Sequence, residues 1–164
     1  CIYYLFEQSL VSYSGEHRKD NLFCLTLKEA DGHFKRLLKM ISGMDDQAIT
    51  SLSNVGNDIK YSSLNLASLV TFGSLEVRCF RGTTNMPEIN NWINILDDIL
   101  QFSKQDSLTP SSLLAHIEKR GTNVFDDVFK NTSGDLRRFF DEDEFFSAIW
   151  YLNKISVLCP DWEN

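Results

Sequence analysis

The chain has 164 residues, 43% hydrophobic and 12% aromatic, enough for one domain, or a large piece of one, with a sizeable core. Its formal net charge of −7 argues against bulk binding to nucleic acid or to an anionic membrane, since both draw basic faces. Cys1, Cys24, Cys79 and Cys159 are widely spaced with no C-x-x-C, so reduced thiols in a cytoplasmic protein are expected rather than a zinc ribbon or a disulfide framework. No apolar run approaches the length of a membrane span and no signal-peptide pattern is visible.

The chain opens on Cys1 rather than Met, inside the apolar pattern Ile2-Tyr3-Tyr4-Leu5-Phe6. The expectation is that an N-terminal portion precedes it and that a site read here is part of a larger one. Residues 2–13 read as the end of a helix, with Leu5, Phe6, Ser9, Leu10 and Tyr13 at helical spacing and Gly15 as the stop. Glu16–Asn21 is a polar turn. Leu22–Leu27 reads as a short strand carrying Cys24, and 28–41 as a helix with Ala30, Phe34, Leu37, Leu38 and Ile41 on one face and His33 beside them. A short helix is expected from Asp45 or Asp46 through Leu52. Asn54–Asp58 is a turn cluster, and Ile59–Leu66 reads as extended chain displaying Lys60, Tyr61 and Asn65.

The stretch Thr71–Thr83 is punctuated by Gly73-Ser74 and Gly82-Thr83. Between them a period of two puts Leu75, Val77 and Cys79 on one face of a strand and Ser74, Glu76, Arg78 and Phe80 on the other. Glu76 and Arg78 therefore point into one space. A carboxylate and a guanidinium held so can grip a metal ion and a phosphate, or can be two solvated charges on the wet face of a sheet. Thr84 or Asn85 then caps a helix over 86–102 with Pro87 and Glu88 in its first turn. Ile89, Trp92, Ile93, Leu96, Ile99 and Leu100 are its expected core stripe, packed on the face carrying Leu75, Val77 and Cys79. Asp97 and Asp98 are expected in solvent.

Ser103–Leu108 reads as a linker. Thr109-Pro110 starts a helix that stops at Gly121, and its His116 has no partner at metal-ligand spacing. Short helical turns are expected over 123–130 and 135–140, and an amphipathic helix over 141–155 using Phe145, Ala148, Ile149, Leu152 and Ile155. Asp141–Glu144 sits where carboxylates favour the helix dipole; EF-hand ligand spacing is absent. The predicted division is a domain over 1–104 and an almost wholly helical appendage over 105–164, packed at one edge.

Three segments together resemble the amidoligase family of carboxylate–amine ligases, related to glutamine synthetase. Gly73-Ser74-Leu75-Glu76-Val77-Arg78, followed by Arg81-Gly82-Thr83 and a helix carrying Trp92, is similar to that family's G-T-[IVL]-E-[FV]-R strand, bend and helix. Lys60-Tyr61-Ser62-Ser63-Leu64-Asn65-Leu66 looks like its K/R-Y-x-x-L-N-L approach to the strand. Leu5 through Gly15, then Arg18, Asn21, Phe23 and Cys24, is similar to a helix followed by R-x-x-N-x-[YF]-C. The resemblance spans residues 2–102. It departs at Arg81, where the family often has Glu in a stretch like R-x-H-x-G-T, and the family's upstream acidic and His-containing strands have no counterpart here.

What the resemblance implies is an α+β fold, a mainly antiparallel, glutamine-synthetase-like sheet with helices on one face and a site on the other. It implies ATP-dependent joining of a small-molecule or peptide carboxylate to an amine, with ATP and Mg2+ required. In that reading Glu76 is a metal ligand and Arg78 and Arg81 stabilise the transferring phosphoryl group. Arg18, Asn21, Lys60, Tyr61 and Asn65 bind nucleotide or substrate. Read from residue types alone, Arg18 and Lys60 can equally be surface charges, Asn65 can close a turn, and Cys24 and Cys79 are small core residues. The competing class is a non-catalytic scaffold or assembly module that binds a protein partner through the tail aromatics Phe139, Phe140, Phe145, Phe146, Trp150 and Tyr151.

Overall fold

A computed structural model describes residues 1–15, 24–28, 61–65, 68, 72–105 and 108–158. The expected turn at 16–21, the helix at 28–41, the short helix at 45–52, the turn at 54–58 and the side chain of Ile155 lie outside the described residues, as do Arg18, Asn21 and Lys60. Helices dominate. Among the described residues they are, in chain order, α1 (Ile2–Ser14), α2 (Met86–Ser103), α3 (Pro110–Arg120), α4 (Val124–Val128), α5 (Ser133–Leu136) and α6 (Glu142–Leu158), with 3-10 turns at Gly121–Asn123 and Arg137–Phe139.

In place of the expected broad antiparallel sheet, the described residues hold one antiparallel pair, β1 (Leu64–Asn65) with β2 (Glu76–Val77), and a parallel bridge from Leu25 to Ser62. The period-two pattern extends further than the pairing does. Leu64 faces Val77, Asn65 faces Glu76, and the Arg78 N–H donates to the Ser63 carbonyl at 2.7 Å. Beyond that nothing among the described residues holds the alternation, so the two faces do not sort as predicted. Leu75 is 55% exposed instead of packed under helix α2. Phe80, expected beside Glu76 and Arg78, stacks on Trp92 of α2 at 4.7 Å with the rings 5° apart, and Tyr13 stacks on the same indole at 6.1 Å. Trp92 thus ties α2 both to α1 and to the chain that follows β2.

α1 is the centre of the molecule. The helical spacing predicts a single buried stripe, yet Ile2, Tyr3, Tyr4, Leu5, Phe6, Leu10 and Val11 are all buried, on every side of the helix, as befits a helix apolar all round. Gly15 ends it with φ 109°, a left-handed conformation that glycine adopts without strain. Around Phe6 gather the rings of Phe129 (5.1 Å), Phe145 (5.5 Å, stacked) and Phe125 (5.7 Å), all from the C-terminal third of the chain. The tail is helical among its described residues, as predicted. It is not an appendage at one edge, because its phenylalanines and α1 share one core.

α3 begins as its sequence dictates. Thr109 Oγ1 accepts the Ser112 N–H at 3.1 Å, Ser112 Oγ accepts the Thr109 N–H at 2.8 Å, and Pro110 follows the cap. The acidic start of α6 is also a cap, with Asp141 Oδ1 accepting the Glu144 N–H at 3.0 Å. α2 is rotated from its predicted orientation. Trp92, Ile95 and Phe102 are buried, whereas Ile93 is 56% and Leu100 47% exposed.

The same rotation buries Asp98, expected in solvent, to 3% exposure. Its carboxylate accepts the Asn131 backbone N–H (3.1 Å), the Asn131 side-chain amide (2.6 Å) and the Thr132 hydroxyl (2.8 Å), so it fixes the loop after α4. Asp98→Ala leaves those buried donors without an acceptor. It is expected to cost about 1.5–3 kcal/mol, read as a lower urea midpoint at unchanged slope.

Candidate functional site

Glu76 stands directly opposite Asn65 in the β1–β2 pair, the placement in which cross-strand side chains interact. Four contacts converge on its carboxylate. Oε2 accepts the Asn65 side-chain amide (2.7 Å), Arg78 Nη2 (2.9 Å) and the Ser68 hydroxyl (3.1 Å). Arg78 Nε lies 2.9 Å from Oε1. The Asn65 amide also donates to Ser68 Oγ at 2.9 Å, which aligns the two neutral donors. Glu76 and Arg78 do share one space, and they meet as an ion pair with one hydrogen bond, from Nη2, while Nε lies close to Oε1 without a hydrogen bond to it. The guanidinium of Arg78, and then the Asn65 amide, hold the Glu76 carboxyl down to about 2, against an ordinary value of 4.5.

The sign of the pH effect follows. A carboxyl depressed in the folded state stabilises the fold above its unfolded pKa, and loses that contribution as pH falls through its folded pKa. Glu76→Gln is therefore expected to flatten the acid limb of stability between about pH 4.5 and about pH 2. Chemical denaturation at a series of pH values reads this out. A wild-type limb of unchanged steepness in the variant would show that the ion pair contributes nothing to it.

Arg81 is directed elsewhere. Its Nη2 donates to Glu88 Oε2 at 2.8 Å across the start of α2, and this pairing lowers the Glu88 pKa. Tyr61 takes part through its carbonyl, which accepts the Leu25 N–H at 3.0 Å. Cys79 is fully buried beneath the Tyr3 hydroxyl, which donates to its Sγ at 3.6 Å, and burial pushes the Cys79 thiol up to about 11. Cys1, Cys24 and Cys79 remain thiols.

Some residues of consequence carry no motif. Ser68 completes the donor set on Glu76, and its position three residues after Asn65 is the available signal. Glu7, the acid set inside the apolar run of α1, is 4% exposed and accepts the Leu27 N–H on both oxygens at 2.9 Å. His116 pairs with a carboxylate. Asp127 Oδ2 lies 2.9 Å from its Nε2, while Arg120, one turn on, grips the same carboxylate with two bonds of 2.8 Å. This cluster clamps α3 to α4, and the bond from Arg120 lowers the Asp127 pKa.

Concavities lie beside α1 and along α2. A cleft of about 30 Å³ beside Glu7, Gln8, Thr26, Lys28 and Glu144 has room for a water or two. An open groove of about 420 Å³ runs along the first half of α2 past Tyr13, Asn90, Asn94 and Arg138. No helix among the described residues is long and apolar enough to cross a membrane. Compared with known protein families, with curated proteins and with solved structures, the chain matches none.

Proposed function

We propose that this chain carries part of the site of an ATP-dependent carboxylate–amine ligase of the glutamine-synthetase-like kind. The observation that carries the reading is the meeting of Asn65 and Glu76. The two motif stretches that resemble amidoligases pair in register, and Asn65, Ser68 and Arg78 converge on the Glu76 carboxylate, which stays ionised at physiological pH.

In such a reaction a substrate carboxylate oxygen attacks the γ-phosphorus of ATP and ADP departs. The amine then attacks the acyl carbon and inorganic phosphate leaves. Mg2+ supplies charge neutralisation on the phosphates and prefers one or two carboxylates plus phosphate and water oxygens. Glu76 fits as one such ligand. Oε2 is taken by three donors, so Oε1, which faces Arg78 Nε, is the oxygen with capacity left. Asn65 and Ser68 would hold that carboxylate in place. Arg78 would swing one edge of its fork toward the transferring phosphoryl group, where a planar guanidinium suits the growing charge. Arg81, seated on Glu88, and Arg18, Asn21, Lys60 and Tyr61 are the further binding residues of the reading.

The test is ADP release by the full-length protein with Mg-ATP, a panel of carboxylates and an amine, alongside calorimetry at millimolar nucleotide. Failure to bind Mg-ATP at all would sink the ligase reading. The scaffold alternative is favoured by one observation. Phe146 and Trp150, one turn apart on α6, are 52% and 61% exposed, an aromatic pair suited to a protein partner.

A further inference from the structure

A buried carboxylate is costly unless its charge is met by hydrogen bonds, and an apolar side chain would pack α1 against its surroundings at less cost. Glu7 is met in full. Besides the two bonds from the Leu27 N–H, its Oε1 accepts the hydroxyl of Ser63, which is fully buried. Leu27 and Ser63 belong to two segments that carry the site. The Leu25 N–H donates to the Tyr61 carbonyl (3.0 Å), the Ser63 N–H to the Leu25 carbonyl (2.7 Å), and the Arg78 N–H to the Ser63 carbonyl (2.7 Å). One residue past Ser63 begins the pair that sets Asn65 against Glu76. From a single point on the central helix, Glu7 therefore touches both segments on which β2 is hung.

We propose that Glu7 is a positioning residue: its buried carboxylate clasps residues 24–28 to 61–65 and so sets where Asn65 and Arg78 stand around the Glu76 carboxylate. This rests on the reading of Glu76 as the reactive site for its consequence in catalysis. The clasp itself is testable without that reading.

The test is site-resolved amide exchange by NMR on Glu7→Gln and Ser63→Ala. In Glu7→Gln the new side-chain amide would present an N–H₂ group where acceptors are required. Exchange at Leu27, Ser63 and Arg78 should then accelerate by about tenfold or more, as local opening becomes easier. The Asn65 side-chain amide resonances should shift, with Phe129 and Leu136 unchanged. Ser63→Ala, the milder change, keeps the Leu27 bonds and should accelerate Ser63 and Arg78 only; it decides the matter if Glu7→Gln does not fold. Uniform acceleration across all amides would mean a general loss of stability and would overturn the proposal. So would acceleration confined to Leu27 with the Asn65 resonances unmoved. In the turnover assay Glu7→Gln should lower kcat by about tenfold or more and leave the KM for ATP nearly unchanged, the mark of misplacement rather than lost binding. A wild-type protein without turnover would refute the ligase reading while the exchange pattern still decided the role of Glu7.

Discussion

Glu76→Gln in the full-length protein is expected to lower Mg-ATP-dependent turnover by about a hundredfold or more, the scale of one lost charge-stabilising group. The substitution keeps the size and one carbonyl oxygen but removes the charge that a metal ligand must supply. Asn65, Ser68 and Arg78 would then face a neutral amide whose N–H₂ group competes with their own donors. Arg78→Lys is the companion variant. It keeps the charge and loses the planar guanidinium whose Nη2 now donates to Glu76, so turnover should fall with it. Glu76 is exposed and Arg78 only half-buried, and an ordinary surface pair would behave differently. Both variants would then shift stability by roughly 0–1 kcal/mol and leave turnover intact. ADP release measured at saturating substrate separates the outcomes, and wild-type rates in both variants would remove Glu76 and Arg78 from the chemistry. Turnover by residues 1–164 alone would argue that no further portion is needed.

Phe6→Ala carries the largest expected cost in stability, about 3–5 kcal/mol. Phe6 is fully buried, and rings from α4, from the residue after it and from α6 close on it between 5.1 and 5.7 Å. Truncation opens a cavity among side chains that belong to three separate elements, so collapse around it requires all of them to move. For a domain of ordinary stability, about 5–15 kcal/mol, that is a large share. The check is the urea midpoint and the near-ultraviolet circular dichroism of the aromatic cluster, with Phe6→Leu as the milder partner. A loss below about 1 kcal/mol would mean that α1 is not the centre of the core. Because Phe125, Phe129 and Phe145 come from the tail, truncation of residues 124–158 should unfold α1 as well, which an edge appendage would not do.

The helices were legible because their signals are local. Thr109-Pro110 and Gly121 bound α3, Asn85 and Pro87 start α2, and Gly15 stops α1. Which face of a helix is buried depends on what stands opposite, and here the sequence pattern misled. On α2 the apolar residues span more than one face, and the stripe drawn through Ile93 and Leu100 leaves out Ile95 and Phe102, which are the buried ones. Contact with the loop after α4 selected the face containing Asp98. Among the described residues the sheet is smaller than the alternation predicts, for a related reason. Period-two alternation is compatible with a strand but does not supply its partners, and the Leu75–Phe80 run pairs only where Leu64 and Asn65 reach it.

What the residues determined by themselves is a set of short-range facts. These are the helix starts and stops, an E-x-R spacing that puts Glu76 and Arg78 side by side, and Cys24 and Cys79 as buried thiols. What only the tertiary structure decided is every partnership across long separation. Glu7 reaches Ser63 over 56 positions, Asp98 reaches Thr132 over 34, and Phe6 reaches the tail. The physical reason lies in the range of the interactions. Caps, turns and strand periodicity act within a few residues and leave their mark in consecutive letters. A buried carboxylate reads like a solvated one until the chain has closed on it, since the donors that make its burial tolerable come from elsewhere.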